Sequence, residues 1–216
     1  MNSLNNIKNW HIYFSNLGSR VSPRVNKRVW MDLEYFVVLG CKIASTDDRL
    51  LTSFTILCTK LAPILSPFKI KKIAKEISDK NDYNLLGYII TKVQQNVRNK
   101  TQWSSLLGEW QSRANLKDNI RLFNTSAFKH DLDLKKWGLL ASSLELQAED
   151  KYLNLKKLYS FPIVKMRFSG VKVVYSDINY YQAINGSHIS IKQMAKDIFQ
   201  DYNSVYQAHE HLLLAA

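Results

Sequence analysis

The sequence predicts a mainly α-helical protein whose first 115 residues form a bundle. Three observations predict it. Apolar residues recur at spacings of three and four along most of the chain, the mark of helices with one buried face. Capping residues stand just ahead of those stretches. Seven Gly and four Pro in 216 residues leave little material for the many turns of a β fold. A hydrophobic content of 46%, with 12% aromatics, supplies a real core and argues against disorder.

Residues 1–17 place Leu4, Ile7, Trp10, His11, Phe14 and Leu17 at helical spacing, and Gly18 would end that helix. Ser22-Pro23 reads as a second start, a hydroxyl cap followed by Pro in the first turn. The stripe Val29, Trp30, Leu33, Phe36, Val37 and Gly40 would follow it. Thr46-Asp47-Asp48 caps a third helix that Pro63 stops near Leu61. Ser66-Pro67 opens a fourth, with Phe68, Ile70, Ile73, Ala74 and Ile77 toward the core. Asn81-Asp82 opens a fifth, with Leu85, Leu86, Ile89, Ile90, Val93 and Val97 as its stripe. Thr101 caps a sixth, in which Trp103, Leu106, Leu107 and Trp110 recur at i, i+3, i+4 and i+7, so the tryptophans are expected in the core. Short connections between such helices describe a bundle.

Past Asn115 the texture changes, and residues 116–165 read as a connecting region with short helices. Asn124-Thr125-Ser126 is expected as a loop, with short helices near 134–140 and 153–159, and Phe161-Pro162 as a break. Residues 163–176 are ambiguous. Val164, Met166 and Phe168, then Val171, Val173 and Tyr175, alternate as in strands. Val171, Val174, Tyr175 and Ile178 equally fit a helix running to Ile184, and helix from about Val171 is the preferred reading.

Residues 166–216 are expected to form a separate unit. Asn185-Gly186 suits a helix end, because Gly tolerates positive φ. Ser190 and Gln193 have the spacing of a capping box. A helix over about 191–198 would carry Met194 and Ile198 on one face. Ala195 supplies the small side chain that two crossing helices need. Val205, Ala208 and Leu212 then share one face of a further helix. The pattern reads as a helix-turn-helix, and it resembles that of bacterial winged-helix transcription regulators over about the last 45 residues. In many of these an Arg-rich segment and a Gly precede the first helix, and Arg167-Phe168-Ser169-Gly170 stands in that place. The chain reaches Ala216 without a strand pair, so the wing is expected to be reduced or absent.

The resemblance implies a DNA-binding transcriptional regulator. Base edges of double-stranded DNA would be read by Tyr202, Asn203, Tyr206, Gln207 and Glu210, the outward face of the last helix. Lys192 and Lys196 would face phosphates. The net charge of +12 fits a polyanionic partner, and residues 1–100 carry most of it, with 16 Lys and Arg against 7 Asp and Glu. Two basic groups there are candidate phosphate contacts: Arg20, Arg24, Lys27 and Arg28, and Lys69, Lys71, Lys72 and Lys75. A solvated helix face is the plainer reading of both. The alternative function is a non-catalytic protein–protein interaction or scaffold module, for instance the partner of a bacterial toxin or defence protein. A homodimer is compatible with either.

Catalysis is not expected. The chain has no P-loop, no dinucleotide-binding glycine motif and no Gly-x-Ser-x-Gly. His209 and His211 would point to opposite sides of a helix and cannot share a metal. Asp131-Leu132-Asp133 lacks the preceding Gly-Ser of metal-dependent nucleotidyl transferases. No cofactor or metal is expected. Cys41 and Cys58 sit in apolar runs and read as buried thiols of a cytoplasmic protein, with a disulfide between them the alternative. The polar N-terminus shows no signal peptide. The run 50–65 is too short and polar to span a bilayer, so no membrane association is expected.

Overall fold

A computed structural model describes residues 3–22, 27–98, 100–117, 120–122, 132–140 and 149–214. The chain is mainly helical. Helix α1 (Ser3–Asn16) lays Trp10 across α2 (Leu33–Ala44), with the indole and the Phe36 ring stacked at 5.1 Å. The Trp10 indole N–H donates to the Phe36 carbonyl at 3.0 Å, so the largest side chain in this core leaves no orphan donor. Phe14 and Phe54 close the same aromatic group.

Helix α2 corrects one expectation. Residues 27–32 are irregular, and the helix begins at Leu33 rather than near Ser22. The reason is Asp32, whose carboxylate accepts from the backbone N–H of Glu34 and Tyr35, both at 3.0 Å. This carboxylate cap stands ten residues after Ser22, and residues 23–26 between them lie outside the described residues. Val29 and Trp30 are therefore packed as irregular chain, not as a helical stripe.

The next helices form largely where the caps place them. Asp47 caps α3 (Asp48–Leu61) through Leu50 N–H, and Pro63 sits in a 3₁₀ turn, Ala62–Ile64. Ser66 caps α4 (Pro67–Ile77) through Lys69 N–H. Helix α5 (Asp82–Gln95) packs against α3 and α6 (Thr101–Gln111). Thr101 is the first residue of α6 rather than its cap. The preceding Lys100 offers no side-chain bond. Trp103 and Trp110 are buried, as their spacing requires.

Beyond residue 115 a two-residue strand β1 (Ile120–Arg121) pairs in parallel with β2 (Leu139–Leu140). Helix α7 (Leu132–Lys136) ends before the expected 134–140 helix could develop, and Trp137 follows it into the core. The expected 124–126 loop lies outside the described residues. Helix α8 (Glu149–Tyr152) precedes Leu153, which bridges to Ser19, and the helix expected over 153–159 follows as α9 (Leu155–Ser160). The segment 163–176 contains no strand. Pro162 starts α10 (Pro162–Phe168), and α11 (Val173–Asn185) follows after a turn. Leu158, Phe161, Ile163 and Val164 belong to the same core as α1–α6.

The C-terminal helices α12 (Ile191–Asp197) and α13 (Tyr202–Leu214) close a second, smaller core with α11. It consists of Ile178, Tyr181, Met194, Ala195, Ile198, Val205 and Ala208. Gly186 ends α11 at φ +88°, a backbone that L side chains rarely adopt. Ser190 accepts from Gln193 N–H at 3.2 Å, giving the first half of the expected capping box. The Gln193 amide does not return to Ser190. It donates to Asp197 at 2.8 Å instead.

Helix α11 serves both cores because its sequence carries two stripes. Ile178 and Tyr181 face the small core, while Asp177 and Tyr180 face the bundle, and Trp30 packs against both tyrosine rings. Cys41 and Cys58 are buried free thiols, and burial pushes both well above the usual thiol range. Among the described residues, no helix is long and apolar enough to cross a membrane.

Candidate functional site

Where α11 meets the bundle, five ionisable side chains are buried together: Asp32, Glu34, Lys69, Arg167 and Asp177. Each comes from an element fixed by its own local signal. Asp32 is the α2 cap, and Glu34 is in the first turn of α2. Lys69 lies one turn before Ile73 on the inward stripe of α4. Arg167 is in the last turn of α10, and Asp177 is on the bundle-facing stripe of α11.

The Arg167 guanidinium donates to Glu34 through both terminal nitrogens, at 2.6 and 3.1 Å, and to Asp177 at 2.6 Å. Its remaining donors reach the Ser176 hydroxyl and the Ile64 carbonyl. The Lys69 ammonium donates to Asp32 and, at 2.6 Å, to Asp177, with Glu34 3.6 Å away. Glu34 also accepts from Ser66 N–H at 3.0 Å. Three carboxylates thus face two cations, each satisfied by several donors, which is the condition for burying charge at all.

The carboxylate oxygens of Asp32, Glu34 and Asp177 lie within 4.8 Å of one another, a spacing that could hold a metal ion. The Lys69 ammonium already occupies the cation's place among them. The arrangement is therefore a lock between α2, α4, α10 and α11, and it fixes how the small core sits on the bundle.

The surplus negative charge falls on Asp32. Burial, with the Asp177 and Glu34 carboxylates beside it, raises its carboxyl to about 7 in spite of Lys69. Burial alone would raise Glu34 as well, but Arg167, Lys69 and the Ser66 N–H bring it down to about 2. The two groups give opposite pH arms. Asp32 is raised on folding, so its contribution is complete below its unfolded value near 3.8 and is lost as pH rises toward 7. Glu34 is lowered, so its contribution is present above 4.5 and is lost as pH falls toward 2. Asp32→Asn, which can still cap α2, should remove the upper arm. The measurement is the urea midpoint from about pH 5 to pH 7. The wild type should lose stability relative to the variant by up to ~1.4 kcal/mol per pH unit. Parallel curves would show that Asp32 does not titrate in this window.

The lysine run on α4 separates by helix direction, and at Lys69 this corrects the phosphate-binding expectation. Lys69 is 3% exposed and spent inside the lock, so it cannot reach a phosphate. Lys71 and Lys75, four residues apart, turn together toward Glu109 of α6, which Arg113 also contacts. Lys72 points a third way and donates to the Phe199 carbonyl at 3.2 Å, in the turn between α12 and α13. In the other basic group, Arg20, Lys27 and Arg28 are exposed and Arg24 lies outside the described residues. No helix starts at residues 27–32, so these side chains do not flank a helix N-terminus there.

On α13 the five sequence-predicted reading residues share the outer side. Tyr202 and Tyr206 are 51% and 44% exposed, with rings stacked at 6.1 Å, and Asn203, Gln207 and Glu210 are exposed. Lys192 and Lys196 are exposed on α12. A cleft of about 550 Å³ adjoins the first turn of α13. Its lining includes Phe68 and Lys72 of α4, Lys172 and Val174 at the start of α11, and Asp201 and Ser204. Asp201 starts α13 by accepting from Ser204 N–H at 2.9 Å.

The lock forms no motif in the sequence, although a signal for it exists. Lys69 and Asp177 occupy core positions of otherwise apolar helical stripes, and Asp32 and Glu34 stand inside the apolar run Trp30 to Val38. Charges of both signs at core positions point to mutual pairing. The chain matches no family model, no curated protein and no solved structure.

Proposed function

We propose that this chain is a non-catalytic DNA-binding protein, a transcriptional regulator. In it α11–α13 act as a helix-turn-helix of the winged-helix kind. The observation that carries the reading is the division of α13. Val205 and Ala208 are buried against α11 and α12, while Tyr202, Asn203, Tyr206, Gln207 and Glu210 stand outward on a helix that nothing covers among the described residues. Such a helix fits a major groove, where Asn and Gln pair with adenine edges and Tyr packs on thymine methyls or bonds phosphate. Helix α13 carries no Lys or Arg. Phosphate contacts then fall to flanking cations, with Lys192 and Lys196 on α12 and Lys72 of the bundle against the α12–α13 turn.

Binding of a labelled duplex should weaken steeply between about 50 and 200 mM salt, as counterion release requires. Tyr206→Ala with Gln207→Ala should relax sequence preference by about 1–3 kcal/mol at the bases those side chains contact. No duplex bound at about 50 mM salt would overturn the reading. Unchanged preference in the double variant would remove α13 as the reading helix.

A second reading, a protein-interaction module or homodimer, is favoured by Leu213 and Leu214, which are 62% and 85% exposed at the end of α13. Sedimentation separates the two. Concentration-dependent association lost in Leu213→Ser with Leu214→Ser supports an apolar docking end.

A further inference from the structure

We infer that the cleft between α4, the start of α11 and the α12–α13 turn seats a phosphodiester group of duplex DNA, held by Lys72 and Lys172. The inference rests on the DNA-binding reading and assigns its grip to residues from two separate parts of the fold. Four observations lead there.

First, α13 presents polar and aromatic side chains but no Lys or Arg, so a strand passing its first turn must be neutralised from beside the helix. Second, the cleft adjoins that first turn, because Asp201 and Ser204 are part of its wall. Third, of the cations that line it, Lys69 is consumed by Asp32 and Asp177, which leaves Lys72 of α4 and the exposed Lys172 just ahead of α11. Lys72 makes a bond to the Phe199 carbonyl, and an ammonium has two further donors to offer. The acid of the cleft, Asp201, turns its carboxylate to Ser204, and those bonds, with Lys72, hold it below the usual range. Fourth, Phe68, expected toward the core, stands instead at the cleft with 80% of its surface exposed. Its ring offers the apolar wall against which a deoxyribose would lie. Charge complementarity and position therefore select the DNA backbone as the occupant.

The test is a salt titration of duplex binding for wild type, Lys72→Ala, Lys172→Ala, Lys172→Glu and Lys71→Ala, read by fluorescence anisotropy. Each of the first two alanine variants should lose about five- to tenfold in affinity near 100 mM salt, for all sequences alike, and should lower the salt slope by ~0.9. Lys172→Glu should lose more. Lys71→Ala, whose lysine is paired with Glu109, should stay within about twofold. Lys172 is exposed and outside both cores, so its variants remain folded and decide the matter even if Lys72→Ala does not. If wild type binds and the Lys172 variants keep its affinity and slope, the cleft assignment is overturned while the DNA reading stands. If wild type fails to bind at low salt, the DNA reading itself falls and takes the cleft with it.

Discussion

Arg167→Ala should destabilise the protein by about 3–5 kcal/mol, because it leaves buried carboxylates without their cation. Glu34 would keep only Ser66 N–H and a lysine 3.6 Å away, and Asp177 would keep only Lys69. Stabilities of folded domains run to about 5–15 kcal/mol, so this one change takes a large share. For a chain of this length it should lower the melting temperature by roughly 10 °C. Arg167→Met should be little better, since it restores volume but not charge. Replacing all five lock residues with packed apolar side chains should cost far less than either, because no charge is then left stranded. Urea unfolding checks all three. A loss below about 1 kcal/mol in Arg167→Ala would mean that water reaches Glu34 and Asp177.

Gly87→Ala should destabilise by about 2–3 kcal/mol, against the direction that helix propensity sets. In an open helix, Ala gains about 1 kcal/mol over Gly. Here a β-carbon at position 87 would fall far inside van der Waals contact with the Trp137 ring, so α5 and the indole cannot both stay in place. The ring has no freedom to yield. Its N–H donates to the Thr91 hydroxyl at 2.9 Å, and the Trp137 carbonyl accepts from the Asn84 amide at 2.7 Å. Thr91 in turn donates to the Gly87 carbonyl at 2.8 Å. Overpacking of this kind costs about 1–3 kcal/mol beyond any local gain. Trp137→Ala alone should cost about 3–5 kcal/mol as a cavity. The double variant should cost less than the sum, since the methyl added at position 87 then enters the space the ring left. An additive result would show that the two residues do not touch.

These two sites also show what is legible in the sequence. The helices whose starts rest on a local cap are readable. Asp47, Ser66 and Ser190 each bond the backbone within a few residues of themselves. At the start of α2 the cap is Asp32, whose carboxylate the folded lock also holds in place. Gly87 can be placed in a helix, but its partner Trp137 lies 50 residues on and no local pattern joins them. The lysine run 69–75 looks like one basic face in the linear sequence. Helical geometry sends its members three ways, and only the positions of Asp177, Glu109 and Phe199 decide what each meets. The outer face of α13, by contrast, follows from periodicity alone. Once Val205 and Ala208 face inward, Asn203, Tyr206 and Gln207 must face out, and Tyr202, one turn before Val205, stands exposed at the flank of the first turn.

The most direct measurement for the proposed function is photo-cross-linking from position 206 in the full chain, with duplex DNA at about 50 mM salt, where electrostatic binding is strong. A photoreactive side chain in place of Tyr206 should form an adduct with a base of the duplex, and excess salt should abolish it. A cross-link from position 206 to a second copy of the chain, or none to DNA under conditions where the duplex is bound, would contradict the assignment of α13 as the helix that enters the groove.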